Sequence, residues 1–165
     1  MILRRAEPGD AAAMVALQNE VIGIGGTTAH QAPRTATQVM EDYIASDSVI
    51  CCHVAEGEDG LMGFQAVGRH PELDLGWGDI GSYVRPGLQH GGVGRALFDA
   101  TVAALRAAGI TTINAAIRAD NAAGLGYYAR CGFVDYGQDP GFALNDGRVV
   151  GRVLKRFDLT PRSFD

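Results

Sequence analysis

Apolar residues along this 165-residue chain recur with two spacings, one typical of strands and one typical of helices. Apolar positions three or four residues apart indicate an amphipathic helix, and short apolar runs between turn residues indicate strands. Strands are predicted over residues 2–6, 48–55, 61–69, 75–84, 111–117, 133–136 and 149–159, and helices over residues 11–22, 37–45, 92–108 and 121–131. The resulting order, βααβββαβαββ, predicts an α/β fold with a mixed, antiparallel-rich sheet instead of an alternating βαβ array.

The predicted helix ends rest on capping residues. Asp10 and Asp120 stand directly before apolar helical patterns, where a side-chain oxygen can accept a hydrogen bond from a free backbone N–H group. Gly132 followed by Phe133 is typical of a Schellman helix end. Residues 23–30, rich in glycine and threonine, are predicted to form a loop.

Length and charge narrow the classes of function. No linker or repeat interrupts the pattern, so residues 1–159 are predicted to form one domain, with residues 160–165 as a C-terminal tail. The formal net charge of −5 argues against a nucleic-acid partner, which would require a basic face. No apolar run reaches 18 residues, so no membrane span is expected.

Cysteine and histidine usage carries two further expectations. The three cysteines are an odd number, and two of them are adjacent, which fits a reducing cytoplasm better than a disulfide framework. The four histidines lack the spacing of metal ligands, so no metal site is expected.

Residues 83–97 are the part of the chain most informative about chemistry. An apolar strand runs into the turn Gln89-His90-Gly91-Gly92, and an amphipathic helix begins immediately afterwards. A helix start leaves backbone N–H groups unpaired, and glycines allow a ligand to approach the backbone closely, so the segment is suited to bind phosphate. It is neither a P-loop nor a Rossmann fingerprint. A glycine-rich turn that binds nothing would look the same, so this segment alone leaves both interpretations open.

Two motifs together resemble the GNAT superfamily of N-acetyltransferases. The pattern Gln89-x-x-Gly92-x-Gly94 after a strand is similar to motif A of that superfamily. The segment from Asn121 to Phe133, with Tyr128 near the helix end, is similar to motif B. The two motifs occur in the expected order, and the resemblance covers roughly residues 2–159.

Within the superfamily, three segments resemble the phosphinothricin and amino-acid N-acetyltransferase branch: residues 18–21, 27–29 and 79–84. The branch implies a primary amine of a small amino-acid-like molecule, of the phosphinothricin or methionine sulfone type, as acceptor. Residues 146–152 depart from its aromatic-rich closing segment, which leaves the substrate itself open. The branch is often dimeric, so a homodimer is an expectation that rests on the resemblance alone.

The resemblance implies acetyl-CoA as co-substrate and assigns it a binding surface. The backbone amides from His90 to Arg95 would bind the pyrophosphate, and the backbone of Tyr83 and Val84 would bind the pantetheine and polarise the thioester carbonyl. Asn121 would bind the cofactor arm. The full set of implied cofactor-binding residues is Tyr83, Val84, Gln89, His90, Gly91, Gly92, Val93, Gly94, Arg95 and Asn121.

Catalytic roles follow from the same resemblance and from strand periodicity. Tyr128 would be the general acid that protonates the departing thiolate, with Tyr127 packing in the core. Asp79, on the same predicted strand face as Trp77, is the candidate base, with Glu20 or water as rivals. The acceptor site is expected to include Glu20, Thr28 and Trp77.

Two alternatives stay open on the sequence alone. The acceptor could instead be a peptide or protein N-terminus or an aminoglycoside, since the sequence does not show the shape of the cleft. The chain could also be a CoA-binding module without turnover.

Overall fold

A computed structural model of the chain describes residues 1–159, and the predicted tail, residues 160–165, lies outside the described residues. The strands are β1 Ile2–Arg5, β2 Val49–Gly57, β3 Gly60–Gly68, β4 Trp77–Val84, β5 Thr112–Arg118, β6 Val134–Ala143 and β7 Val149–Asp158. The helices are α1 Ala11–Ile24, α2 Ala36–Tyr43, α3 Val93–Ala107 and α4 Ala122–Cys131. A 3₁₀ turn at Pro8–Asp10 directly precedes α1. This order confirms the predicted mixed α/β fold.

The seven strands form one sheet in the order β1-β2-β3-β4-β5-β7-β6. All neighbouring strands are antiparallel except β4 and β5, which run parallel. These two central strands pair only from Trp77 opposite Thr112 to Asp79 opposite Asn114. Both strands continue beyond this row, so a gap opens between them in the middle of the sheet.

Helices cover both faces of the sheet, and the alternation of side chains along β3 divides the core. Phe64 packs with Met14 of α1 and Val39 of α2 on one face. Val67 packs with Phe98 of α3 on the other face. The two faces are therefore named the α1/α2 face and the α3/α4 face.

Several predicted helix ends are corrected by the structure. The α1 helix continues through Gly23 and ends at Ile24, since Gly25 takes the left-handed backbone conformation that ends it (φ +79°). Asp10 stands at the N-cap of α1 without capping it, because its carboxylate accepts hydrogen bonds from Arg4 (2.8 Å) and from the Glu7 amide (2.8 Å).

The ends of α4 also differ in part from the prediction. Asn121 caps the helix, accepting a hydrogen bond from the Gly124 amide at 3.0 Å, whereas Asp120 pairs with Arg118 at 2.8 Å. The predicted Schellman end is confirmed: Gly132 has a φ of +105°, and the Phe133 amide donates to the Tyr128 carbonyl at 3.0 Å. None of the helices within residues 1–159 is long and apolar enough to cross a membrane.

Candidate active site

The gap between β4 and β5 is the centre of the candidate site. In antiparallel pairs, residues alternate between those that exchange hydrogen bonds with the partner strand and those that point away from it. The Arg85 amide donates to the Met62 carbonyl of β3 at 2.8 Å. By the register of β3 and β4, the Tyr83 amide therefore faces β3, and the amides of Ser82 and Val84 face the gap. These amides are donors that a ligand in the gap can reach.

The loop between α1 and α2 is fixed over the gap by hydrogen bonds from distant elements. Arg118, at the end of β5, donates to the Thr28 carbonyl at 3.1 Å, and Asn121 donates to the Thr27 carbonyl at 3.2 Å. The Thr28 hydroxyl lies 3.5 Å from the Tyr83 hydroxyl. This loop therefore connects α1 to both strands that border the gap.

The anion-binding turn predicted from the sequence has the geometry of an open helix start. Gly92 precedes α3 with a φ of +81°, a left-handed conformation that favours glycine. The first helical hydrogen bond runs from the Ala96 amide to the Gly92 carbonyl at 3.1 Å, so the amides of Val93, Gly94 and Arg95 precede it. These donors, together with the positive end of the helix dipole, are suited to an anion.

The side chains around this turn have local partners. Gln89 accepts a hydrogen bond from the Gly87 amide at 2.9 Å, and Arg95 pairs with Asp99 one turn along α3 at 3.3 Å. His90 and Gly91 are exposed. The backbone amides are thus the principal anion donors that the turn offers, and the roles of its side chains stay predictions.

Tyr128 reaches the gap from the α3/α4 face. Its side chain is 7% exposed and packs against Phe133, with ring centroids 5.0 Å apart. Its hydroxyl oxygen lies 2.8 Å from the Ser82 hydroxyl oxygen. Burial raises the pKa of Tyr128 above its usual range, so the folded protein favours the protonated phenol.

A buried network holds the Ser82–Tyr128 pair. The Gln65 side-chain amide donates to Ser82 at 2.8 Å and to the Tyr127 hydroxyl at 3.0 Å, which uses both of its N–H groups. Tyr127 in turn donates to the Gly94 carbonyl at 2.8 Å. Tyr127 therefore packs in the core, as predicted, and also connects α4 to the start of α3.

Asp79 borders the gap from the α1/α2 face. It occupies the last paired row of β4, and Asn114 of β5 donates to its carboxylate at 2.8 Å. Asn114 is held by Tyr136, whose hydroxyl donates to its side-chain oxygen. Burial raises the pKa of Asp79, and the hydrogen bond from Asn114 opposes this shift in part.

A cavity of about 390 Å³ lies against Asp79. Trp77 forms one wall, edge to face with Tyr136 at 5.7 Å between ring centroids, and the Arg156 guanidinium lies 4.9 Å from the Trp77 ring. Arg152 lines the same cavity. The structure thus brings Trp77 and Asp79 together as predicted from strand periodicity, and it adds aromatic and charged groups from β6 and β7.

Comparison with known proteins identifies the family. Residues 27–133 match the Acetyltransferase (GNAT) family. The chain is an acetyltransferase of the GNAT family. It is 29% identical, over 163 residues, to YwnH of Bacillus subtilis (strain 168), a provisional phosphinothricin acetyltransferase; the match covers 93% of this chain and 99% of that protein.

Solved structures agree with this assignment. A crystal structure of a provisional phosphinothricin N-acetyltransferase is similar at a TM-score of 0.84 and 26% identity, over 97% of this chain and 99% of the other. The phosphinothricin acetyltransferase of Sinorhizobium meliloti, solved in complex with acetyl-CoA, shares the fold at a TM-score of 0.82 and 18% identity, over 95% and 87% of the two chains.

The other sequence-predicted site residues of this acetyltransferase lie in different surroundings. Glu20 is exposed on α1 and does not line the cavity beside Asp79. Both polar ends of the Asn121 side chain are engaged, by Gly124 and Thr27, so its cofactor role stays a prediction.

Sequence reasoning missed Ser82, Gln65, Asn114, Tyr136 and Arg152 in this GNAT enzyme. Strand parity could have placed Ser82 on the face opposite Asp79, since the two are three residues apart in β4. The other four come from strands distant in sequence, and only the sheet order brings them to the gap.

Proposed function

We propose that this enzyme transfers the acetyl group of acetyl-CoA to the primary amine of a small amino-acid-like acceptor, by direct attack in a ternary complex. The observation that carries the proposal is the gap between β4 and β5, bordered by Tyr128 on one face and by Asp79 with its cavity on the other. The similarity to proteins named for phosphinothricin acetylation supports the acceptor class.

The donor side of the site suits a phosphorylated thioester. The amides of Val93, Gly94 and Arg95 are available to hold a pyrophosphate at the start of α3. The Val84 amide faces the gap, where it can stabilise the negative charge that develops on the thioester oxygen. Acetyl-CoA supplies the activated acetyl group, and the protein supplies position, hydrogen bonds and proton transfer.

Asp79 is the base in this mechanism. An ammonium group in the cavity must lose a proton before its nitrogen can form a bond to the acetyl carbon, and Asp79 accepts that proton directly or through water. Its raised pKa brings its basicity closer to that of the amine than an exposed aspartate would be. Asp79 is preferred to Glu20, which is exposed and outside the cavity.

Tyr128 is the acid. When the carbon–sulfur bond breaks, the electron pair goes to sulfur, and the Tyr128 hydroxyl donates its proton to the thiolate. The attacking nitrogen loses its second proton as the amide forms, and a proton from solvent restores the Tyr128 hydroxyl. Both N–H groups of Gln65 are already committed, one of them to the Ser82 oxygen. The single Ser82 hydrogen can then point to the Tyr128 oxygen, which stabilises the phenolate while it forms and directs the Tyr128 hydrogen into the gap.

A thiol-release assay tests the proposal directly. Acetyl-CoA is offered with the protein amino acids, phosphinothricin and methionine sulfone, and the products are identified by mass spectrometry. The proposal predicts CoA release that depends on one or more amines of this panel and yields the N-acetyl product. Acetyl-CoA binding without turnover on any amine would overturn it and favour a CoA-binding module.

A further inference from the structure

Arg152 is a charged residue of the cavity that the proposed mechanism does not use. It lies on β7, opposite Arg118 of β5 and Asp139 of β6. One terminal nitrogen of its guanidinium donates to Asp139, and the guanidinium carbon lies 5.9 Å from the Phe142 ring centroid. Its Nε is buried and has no hydrogen-bond partner among the residues that the structure describes. That atom is closed to solvent, so the donor left for an anion in the cavity is the second terminal nitrogen, which forms no hydrogen bond with the described residues.

The charges around the cavity are unevenly distributed. The carboxylates of Glu72, Asp74 and Asp79 line it, and Arg152 is the single permanent cation among the described lining residues. Asp79 and Arg152 are close enough that the guanidinium charge opposes part of the upward shift in the Asp79 pKa. A cavity lined by a carboxylate and by a guanidinium that influence each other electrostatically is complementary to a molecule that carries an ammonium and a carboxylate.

The surface between the two charges is small and apolar. Ala116 of β5 and Leu154 of β7 lie opposite each other in the sheet, and both line the cavity. Arg152 and Leu154 are two residues apart on β7, so their side chains project from the same face of the sheet, on which the cavity lies. The floor leaves room for the carbon skeleton of a compact acceptor.

We propose that Arg152 binds the carboxylate of the acceptor, so that the substrate is an amino acid with a free carboxylate whose amine lies at Asp79. The proposal rests on the proposed acetyl transfer and adds the group that selects the acceptor. An amine without a carboxylate would leave this Arg152 donor without a partner in the cavity, so the enzyme should use the amino acid more efficiently than the amine.

The experiment compares the best amino acid of the thiol-release panel with its decarboxylated amine; for methionine sulfone this is 3-(methylsulfonyl)propylamine. Wild-type enzyme is expected to prefer the amino acid by about 10- to 100-fold in kcat/KM, as for the loss of one charged hydrogen bond. Arg152→Gln is expected to raise the KM of the amino acid by a similar factor and to leave that of the decarboxylated amine unchanged. Arg152→Lys should retain part of the preference.

Arg148→Gln is the matched control, because Arg148 lies before β7, is exposed and pairs with Asp146. It should leave the preference intact, and acetyl-CoA titration and melting curves check the fold of each variant. Equal use of the two acceptors by the wild type overturns the Arg152 proposal without any variant. An equal rise in the KM of both acceptors in folded Arg152→Gln also overturns it. A wild type that acetylates no amine overturns the proposed function instead.

Discussion

The hydroxyl oxygens of Tyr128 and Ser82 lie 2.8 Å apart, one on α4 and the other on β4 beside the gap in the sheet. Tyr128 is held at this position by packing against Phe133 and by the network that Gln65 forms around Ser82. The candidate acid is therefore positioned by two elements at once, whereas Asp79 is positioned from the opposite face of the sheet. In the proposed mechanism, proton donation and proton removal therefore take place on different sides of the gap.

Replacement of Tyr128 by phenylalanine should remove the acid and preserve the packing. We expect kcat to fall by about 10²- to 10⁴-fold, the range typical of general acid catalysis, with little change in the KM of acetyl-CoA. Tyr43→Phe is the control for the loss of a buried hydroxyl, since the Tyr43 hydroxyl lies on the α1/α2 face, opposite Tyr128, where it accepts hydrogen bonds from Gln18 at 2.9 Å and from Arg34 at 3.3 Å. Steady-state kinetics of both variants would show the difference; an unchanged kcat in Tyr128→Phe removes the acid role.

Replacement of Ser82 by alanine should leave Tyr128 in place and remove the group that orients its hydroxyl. The net value of one hydrogen bond is about 1 kcal/mol, so we expect kcat to fall roughly 5- to 10-fold. Ser82→Thr keeps a hydroxyl and should recover most of the rate. If alanine and threonine variants lose the same activity, packing at this position matters and the orienting hydrogen bond does not.

Asp79 should control the rise of activity with pH. Burial raises its pKa above the usual 3.8, so the basic form, and with it kcat, is lost as the pH falls through that raised pKa. Asp79→Asn should lower kcat by about 10²- to 10⁴-fold and abolish this acidic limb of the pH–rate profile. A variant profile with the wild-type limb would transfer the base role to Glu20 or to water.

The raised pKa of Asp79 also predicts that its charged carboxylate, which the proposed reaction requires, lowers the stability of the folded protein. Because the folded-state pKa of Asp79 is above the unfolded value, the folded protein disfavours its charge, and this cost is present above the folded pKa and absent below about pH 3.8. Asp79→Asn should therefore raise the melting temperature at pH 7 and lose that advantage at about pH 3. Melting curves at the two pH values measure it; a lower melting temperature at pH 7 would contradict the assigned shift.

Replacement of Gly94 by alanine should disturb the contact between the start of α3 and Tyr127 of α4. A Cβ at this position would lie 2.8 Å from a ring carbon of Tyr127, so Gly94→Ala must displace that ring and its bonds to Gln65 and the Gly94 carbonyl. We expect a loss of stability of about 1–3 kcal/mol, as for overpacking, together with a higher KM for acetyl-CoA.

Gly109→Ala is the control for backbone and stability effects, since Gly109 has a φ of +77° and open space around it, at the far end of α3. It should lose stability without a change in the KM of acetyl-CoA. If the two variants change that KM equally, the Tyr127 contact has no special part in donor binding.

The order of the elements was predictable from the sequence because apolar spacing and glycine turns are local signals. Helix ends were less predictable, because side chains that could cap were taken by other partners: Arg4 engages Asp10, and Arg118 engages Asp120. The extension of α1 to Ile24 depends on which of several glycines takes the left-handed conformation, and the local pattern does not decide this.

The site was predictable only where its residues lie on the two motifs or on β4. Tyr128 and Asp79 have local signals, in a motif and in strand parity. Asn114, Arg152 and Gln65 lie on β5, β7 and β3, and their relation to the gap depends on sheet order and register. The sequences of β4 and β5 do not indicate that the two strands separate after one short stretch of pairing.

Initial rates of CoA release, with acetyl-CoA and the best amino acid both varied, test the central claim most directly. Direct attack in a ternary complex predicts double-reciprocal lines that intersect, with the N-acetyl amino acid as product. Parallel lines, the pattern of a covalent acetyl-enzyme, would contradict the account.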